Sequence, residues 1–414
     1  MLEELFPRVY RRYSSLPVLG ATLNGFVEFL FTRGYPRTPV RRHVRTTRRV
    51  DARLQRRGCR SADEITRTEL RACAPPPGRS QDDINLAATV RQLERYLDER
   101  GILPPNRPPS AAESKVAEYG AYLREVRGLA RSTINHHVAT AAQFIAHLDD
   151  RGGVSHLPNL TAQDLEGFVR CSGNRVSRGS LQHVVAQARS FLRFLATKGE
   201  APTGLDTRID TPRVYRGEQL PRALPWSTVR ALLKAIDRST PMGLRDYAML
   251  LLIATYGLRT SEVVGLRLEH IEWSTSRLNV HQPKTTAPLL LPLTDTVGHH
   301  VREYLRCGRP SVPYREVFVR HRAPAGVLKP TAVTEVFQAW SRRSSLSIPF
   351  QGPHCMRHSY AVHLLRQGTP LKTIGDLLGH RTAESTCVYL RLAVEDLRSV
   401  PLNLPTSVSQ EVSP

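Results

Sequence analysis

The stretch HCMRHSYAVHLL, residues 354–365, decides how the chain is interpreted, because it places three histidines and an arginine on a predicted helix. Such a cluster can bind a metal, bind a phosphate or fill a core. His354 and His358 have the i, i+4 spacing of an H-E-x-x-H zinc motif, but Cys355 and Met356 follow His354, so the glutamate is absent. Arg357 would also place a fixed positive charge beside the metal. A metal site is therefore disfavoured.

A phosphate fits the same stretch better. His354 and Arg357 are three residues apart, which places them on one face of the helix, and the preceding QGP is typical of a helix start. Two hydrogen-bond donors and a helix N-terminus then point to one place, an arrangement that favours a phosphate. We expect a phosphate site that needs neither a metal nor a cofactor.

The charge of the chain indicates a polyanionic partner. The 414 residues carry a formal net charge of +22, and residues 41–60 contain nine arginines and a single acid, Asp51. At helical spacing these guanidinium groups would cover nearly every face of a helix, which is more than a solvated surface needs. We expect contacts with nucleic acid, most simply double-stranded DNA.

Cysteine usage and hydropathy indicate the compartment. The six cysteines are scattered without a C-x-x-C pair, so neither a disulfide framework nor a thiolate zinc site is expected. The longest apolar run, YAMLLLIATYGL, is too short to span a bilayer, and the N-terminus lacks the apolar segment of a secretory signal. We expect a cytoplasmic, nucleoid-associated protein that has no membrane partner.

The first half of the chain contains two similar segments. Residues 33–58 align without gaps on residues 127–152. Two more blocks follow in the same order, 64–70 with 159–165 and 90–104 with 188–202. Three co-linear blocks favour a duplication, and the caps, glycine stops and apolar stripes predict about four helices in each copy.

Proline-rich stretches and a change of pattern divide the chain. We expect a mainly α-helical protein with a small β-hairpin or sheet, which is predicted where RLNVHQ and PLLLPLT flank PKTTA. Two helical DNA-binding bundles would precede a larger C-terminal domain. The predicted segments are an N-terminal helical module (1–106), a second bundle (107–206), a linker (207–224), the C-terminal domain (225–400) and a disordered tail (401–414).

The motifs of the C-terminal half resemble those of the tyrosine site-specific recombinases, the phage integrase family. That family has H-x-x-R on an apolar helix, then L-G-H, then a nucleophilic tyrosine about nine residues later. This chain has HCMRHSYAVHLLRQG, IGDLLGH and RTAESTCVYLRL. Upstream, ATYGLRTSEVVGLRLEHI resembles the family's first-arginine helix, with Glu262 as its companion acid, and PKTTAPLLLPL resembles the hairpin that bears the family's lysine. The positions in the six family slots are Arg259, Lys284, His354, Arg357, His380 and Tyr389.

The resemblance implies metal-independent transfer of DNA strands. Tyr389 would attack a phosphodiester and form a 3′-phosphotyrosyl bond, which conserves the energy needed for rejoining. Arg259 and Arg357 would bind the non-bridging oxygens through their planar, permanently charged forks.

The remaining slots imply proton transfer and phosphate contact. Lys284 would donate a proton to the leaving 5′ oxygen, because the pKa of a lysine can be tuned for that task. His354 would exchange the tyrosyl proton, and His380 would hydrogen-bond the phosphate.

The resemblance also implies an assembly. Residues 107–206 would be the family's core-binding domain, followed by an integrase-like catalytic domain, and the protein would self-associate into a synaptic dimer or tetramer for DNA integration, excision or transposition. The ending YLRLAVEDLRSVPLNLP is similar to transposon-borne members, which act together with partner recombinases. Two alternatives remain open, a DNA-binding regulator with an inactive recombinase domain and a type IB-like topoisomerase.

Overall fold

The computed structural model describes residues 1–76, 80–104, 109–213, 221–282, 288–380 and 382–392. These residues form two compact units. One unit comprises Met1–Leu103 together with Gln219–Pro414, and the other is Pro104–Glu218. Within the part of the chain that is described, no helix is both long enough and apolar enough to cross a membrane.

The first hundred residues form a helical module with its own apolar core. Its longest helix is amphipathic despite nine arginines in residues 41–60, because Val40, Val44, Val50 and Leu54 recur at helical spacing and are buried. The helices are α1 (Leu2–Leu5), α2 (Arg11–Ser14), α3 (Leu23–Thr32), α4 (Arg37–Arg56), α5 (Arg67–Ala72) and α6 (Gln81–Glu99).

The single acid of the arginine-rich run has a structural role. The Asp51 carboxylate is fully buried and accepts hydrogen bonds from the backbone N–H groups of Val18 and Leu19, at 3.0 and 2.8 Å. The side-chain amide of Gln55 donates a third at 2.6 Å. Asp51 therefore fastens the segment before α3 to the middle of α4, since these backbone donors would otherwise be buried without a partner.

The second unit is another helical bundle around a separate core. Its helices are α7 (Ala111–Glu125), α8 (Arg131–His147), α9 (Ala162–Gly173) and α10 (Arg178–Thr197). The third helix of this bundle begins with a capping box at Thr161, as α5 does at Thr66, and these two threonines occupy equivalent positions in the aligned sequence segments.

The C-terminal region is helical around a three-stranded antiparallel sheet. The strands are β1 (Ile271–Glu272), β2 (Arg277–His281) and β3 (Pro288–Pro292), in the order β1-β2-β3. In the β2–β3 ladder Leu278 pairs with Leu291, and Leu278, Val280 and Leu291 turn buried side chains to the core. The prediction of a mainly helical protein with a small β-hairpin or sheet is confirmed.

Helix α12 is the centre of this region. It begins at Pro241 after the cap Thr240, ends at Tyr256 before the C-cap Gly257, and is buried on nearly every side. The helices here are α11 (Trp226–Lys234), α12 (Pro241–Tyr256), α13 (Thr260–Val264), α14 (Asp295–Glu303), α15 (Pro330–Arg343), α16 (His354–Arg366), α17 (Leu371–Leu378) and α18 (Glu384–Cys387). A π-helical turn, Tyr304–Gly308, extends α14, and a 3-10 turn, Val388–Leu392, follows α18.

Candidate active site

The termini of four helices meet around the Arg357 side chain. The first turn of α16 carries His354 and Arg357, and α12 ends nearby at Gly257. The start of α13 is capped by Arg259, and α17 ends at Gly379. Helix termini expose unpaired backbone groups, so this arrangement offers carbonyl and N–H groups to polar side chains from neighbouring elements.

Two helix C-termini hold the Arg357 guanidinium, which is only 2% exposed. Its Nη1 donates to the Gly257 carbonyl at 2.5 Å, and its Nη2 donates to the Leu378 carbonyl at 2.8 Å. The negative ends of the α12 and α17 dipoles therefore compensate a buried cation. Burial, and next the charge of Arg259, lower the pKa of Arg357 to about 10, so it is charged at neutral pH.

Glycine is required at both helix ends because of their left-handed backbone. Gly257 has φ +64° and Gly379 has φ +62°, a conformation that other residues rarely adopt. A β-carbon on Gly257 would lie 2.5 Å from Leu378 Cδ2 and 3.0 Å from the Tyr360 ring. Gly257 thus lets α12 and α17 approach closely enough to share one guanidinium.

The second arginine is oriented by an acid three residues away. Glu262 is buried, and its Oε1 accepts a 2.6 Å hydrogen bond from Nη1 of Arg259. Its Oε2 accepts from the Arg259 backbone N–H at 2.8 Å, as in a capping box. One carboxylate therefore fixes the helix start and the direction of the guanidinium.

Tyr389 lies in a small apolar cluster beside these arginines. Its side chain is 2% exposed and packs with Ala361, Val362, Ile374 and Leu378. Burial raises the pKa of its phenol, while the positive charges of Arg357 and Arg259 partly offset that rise. The hydroxyl is therefore protonated at neutral pH, and deprotonation there produces an anion next to two cations.

Two histidines contact the same tyrosine in different ways. His380 stacks its ring on that of Tyr389, 6.3 Å between centroids, while its Nδ1 lies 2.8 Å from Thr386 Oγ1. His358 places Nδ1 3.2 Å from the Tyr389 hydroxyl. Burial and neighbouring positive groups lower the pKa of both rings to about 4, so both are neutral at pH 7.

His354, the first residue of α16, is exposed at the mouth of a cleft of about 440 Å³ that Arg259 also lines. Its ring is edge-to-face with that of His358, 4.5 Å between centroids. His358 was not among the residues predicted from the sequence. The sequence signal for it was its i, i+4 spacing from His354, which we considered as a zinc pair and disfavoured.

The structure thus brings Arg357, His380 and Tyr389 together, and it places Arg259 and His354 along one cleft beside them. Lys284 lies outside the described residues. The groups around this cleft suit an anion better than a metal, because two guanidinium groups face the histidines. Elsewhere in the described residues, one group could hold a metal by the spacing of its ligand atoms, His299, His300 and Glu303 on α14.

Comparisons with known proteins identify the family. A model of the phage integrase family matches residues 222–396, and a model of the SAM-like N-terminal domain of phage integrases matches residues 116–199. A Sinorhizobium fredii protein, y4rA, whose name places it among integrases and recombinases, is 32% identical over 386 residues, covering 92% of this chain and 93% of that protein. The chain belongs to the tyrosine recombinase family. It is a site-specific recombinase that acts on DNA, as its motifs predicted.

Two further comparisons agree. The tyrosine recombinase XerD of Lacticaseibacillus casei is 29% identical over 293 residues, which cover 69% of this chain and 96% of XerD. The crystal structure of the XerH recombinase on a palindromic difH substrate, after cleavage, has a TM-score of 0.56 at 14% identity and covers 81% of this chain and 92% of that one. This recombinase therefore shares the family fold, a SAM-like helical domain followed by an integrase catalytic domain.

Proposed function

We propose that this recombinase cleaves and rejoins DNA through Tyr389, with the other five predicted residues arranged around the scissile phosphate. The observation that carries the proposal is the position of the Tyr389 hydroxyl, which is buried beside the permanently charged Arg357. A phenolate that attacks or leaves from this position is stabilised by cations that are already in place. Such electrostatic stabilisation is the largest single contribution to the rate enhancement of many enzymes.

The roles of the arginines follow from their geometry. Arg259 lines the cleft with its guanidinium oriented by Glu262, so it can contact a non-bridging oxygen of a phosphate bound there. Arg357 lies deeper and acts on the phosphate and the phenolate together. We keep His380 as a hydrogen-bond donor to the phosphate and Lys284 as the acid for the leaving 5′ oxygen.

We also propose that both helical bundles bind the DNA. Residues 107–206 would form the core-binding domain, and residues 1–106 a duplicated module with the arginine-rich α4 on its surface. Exposed arginines along α4, Arg42, Arg45, Arg48 and Arg49, support DNA contact because closely spaced guanidinium groups release counterions on binding phosphates. Residues 207–224 would be the linker and residues 225–400 the catalytic domain.

The number of strands to be exchanged favours a synaptic tetramer. Each protomer supplies one Tyr389, whereas joining two duplexes to each other requires four strands to be cut and rejoined. Four protomers, assembled from dimers on each duplex, meet this requirement with one cleavage each. We propose that the recombinase acts on the chromosome in the cytoplasm, with partner recombinases if it belongs to a transposon-borne group.

Covalent trapping in the native host tests this proposal. DNA that stays attached to the protein after denaturation would be sequenced from cells with the wild type, Tyr389→Phe and the control Tyr360→Phe. We expect adducts at a few repeated sites for the wild type and the control, and none for Tyr389→Phe. Adducts scattered over the genome would indicate a topoisomerase, and none from any protein would indicate an inactive DNA-binding regulator.

A further inference from the structure

His358 is placed to receive the proton of the nucleophile. Its Nδ1 is 3.2 Å from the Tyr389 hydroxyl, which is hydrogen-bonding distance. The His380 ring lies nearly parallel to that of Tyr389, with 6.3 Å between the centroids, and its Nδ1 is 2.8 Å from Thr386 Oγ1. His354 meets the edge or face of the His358 ring and lines the cleft. His358 thus contacts the reacting oxygen through a ring nitrogen.

The surroundings of His358 determine its protonation state. The charged and titratable groups that face it are His354 and Arg357 on its own helix, His380 after α17, Tyr389, and Arg222 before α11. Burial and these positive groups lower its pKa to about 4. At neutral pH the ring is uncharged, and with its proton on Nε2 its Nδ1 has a free lone pair directed at the phenol.

We propose that His358 is the base that takes the tyrosyl proton during cleavage and returns it during rejoining. The inference rests on the proposed role of Tyr389 as the nucleophile. As Oη of Tyr389 forms its bond to phosphorus, the Oη–H bond breaks and the proton moves to Nδ1 of His358. The P–O5′ bond breaks, and its electron pair leaves with the 5′ oxygen, which takes a proton from Lys284. Rejoining reverses each transfer.

This assignment changes the role of His354. His354 lines the cleft together with Arg259, so we assign it a contact with the phosphate. The edge-to-face contact of the two rings lets His354 hold the His358 ring in the orientation that points Nδ1 at Tyr389. A purely structural His358 would only fill the space between α16 and the Tyr389 turn.

The first test is the single-turnover rate of adduct formation by the purified full-length protein, on nicked duplexes carrying a site recovered by trapping. We expect His358→Gln to slow adduct formation about 100-fold, a typical contribution of a general base. The control is His363→Gln, the same substitution on the same helix at a ring that stacks on Trp226, which should keep the rate within about twofold. Thermal unfolding of each variant shows whether it is folded.

Two further measurements separate proton transfer from a structural role. His358→Gly should regain activity with added imidazole, whereas Tyr389→Phe should not. The wild-type rate should be nearly independent of pH from 6 to 8.5, because the base is already unprotonated there. A tyrosine that loses its proton to water would instead give a rate rising about tenfold per pH unit.

The outcomes distinguish the two levels of the account. A folded His358→Gln protein with the wild-type rate, or a wild-type rate that rises tenfold per pH unit, overturns the role of His358 and leaves Tyr389 as nucleophile. A Tyr389→Phe protein that still forms the adduct overturns the proposed function itself. The pH dependence needs only the wild-type protein, so a rate that rises tenfold per pH unit overturns the role of His358 even if the variants fail to fold.

Discussion

At the scale of residues, the sequence motif predicted which side chains meet but not how they are held. The spacing of H-x-x-R, L-G-H and the tyrosine placed Arg357, His380 and Tyr389 in register. The contact between Tyr389 and His358 could not be predicted, because it depends on how the turn after α18 returns to α16. The two backbone carbonyls that accept hydrogen bonds from Arg357 could not be predicted either, because every residue has a carbonyl and the sequence does not indicate which ones are in contact.

Replacing Arg357 by lysine tests whether the planar guanidinium group of the arginine is needed. A lysine ammonium has a single centre and cannot reach the Gly257 and Leu378 carbonyls in the same planar geometry. We expect Arg357→Lys to lower the free energy of unfolding by about 2 kcal/mol, the contribution of a hydrogen bond to a charged group. Adduct formation should fall at least about 100-fold, as on loss of a transition-state donor.

The control for this prediction is Arg366→Lys, at the exposed end of the same helix. Urea unfolding and the single-turnover adduct rate should be unchanged in this variant. An Arg357→Lys protein as stable and as active as the control would show that charge alone suffices at this position.

At the scale of elements, the ends of helices determine the site more than their lengths do. The motifs ATYGLR and LLGH contain the glycines that follow α12 and α17, but they did not predict that both glycines have a left-handed backbone or that the two helix ends meet at one guanidinium. The arginine-rich α4 was predicted as a helix from its spacing. Its buried Asp51 was noted only as an exception in the charge run, and its role became clear from its backbone partners.

Gly257→Ala tests this close approach. Its β-carbon would collide with Leu378 and Tyr360 as well as strain the backbone, so we expect a loss of roughly 3 kcal/mol in the free energy of unfolding. Gly368→Ala is the matched variant. Gly368 follows α16 with φ +78°, and a β-carbon there meets nothing within 4 Å.

The Gly368→Ala variant should therefore show only the backbone strain, about 1 kcal/mol. The difference between the two variants in urea unfolding isolates the packing between α12 and α17. Equal losses would contradict the steric account of Gly257.

The arginines of α4 make a separate prediction about DNA binding. Replacing Arg42, Arg45 and Arg48 by glutamine removes three exposed charges from one side of the helix while keeping similar helix propensity. If these side chains contact phosphates, the slope of log affinity against log salt should decrease in magnitude by roughly 2.7, about 0.9 per contact.

The control for the α4 variant replaces Arg8, Arg11 and Arg12, which are also exposed and lie in the same module. The change of net charge is then identical. Fluorescence titrations of a labelled target duplex at several salt concentrations give both slopes. Equal slopes for the two triple variants would show that α4 contributes only to the overall charge.

At the scale of the whole molecule, the sequence predicted mostly helices with a small sheet, but it contained no signal for which regions pack into one unit. Three regions have separate apolar cores. The first hundred residues nevertheless form one compact unit with the C-terminal region. Part of that contact is the Ala325 N–H donating to the Arg33 carbonyl at 3.0 Å, with Ala323 against the N-terminal core. Backbone contacts between loops leave no periodic pattern in the sequence, so they could not be predicted from it.

Buried neutral histidines predict how stability depends on pH. His43, His321, His358 and His380 each have a pKa lowered to about 4, with burial as the main cause. In the unfolded chain a histidine titrates near 6.5. Between these values the unfolded state binds protons that the folded state does not, so stability is complete above about pH 6.5 and falls as the pH drops towards 4.

The urea midpoint should therefore be lower at pH 5 than at pH 7.5. His43→Gln, which alters a ring that hydrogen-bonds Thr89 far along the chain from the catalytic motifs, should reduce the difference between the two midpoints. Midpoints that agree at the two pH values would contradict the neutral burial of these rings.

The measurement that tests the central claim most directly is to identify the residue that carries DNA in the trapped adduct. The adduct of the purified protein with a nicked target duplex would be digested with nuclease and trypsin and sequenced by mass spectrometry. We predict a nucleotide 3′-phosphate on Tyr389, the single tyrosine of the tryptic peptide TAESTCVYLR, residues 382–391. A nucleotide on any other residue would contradict the account.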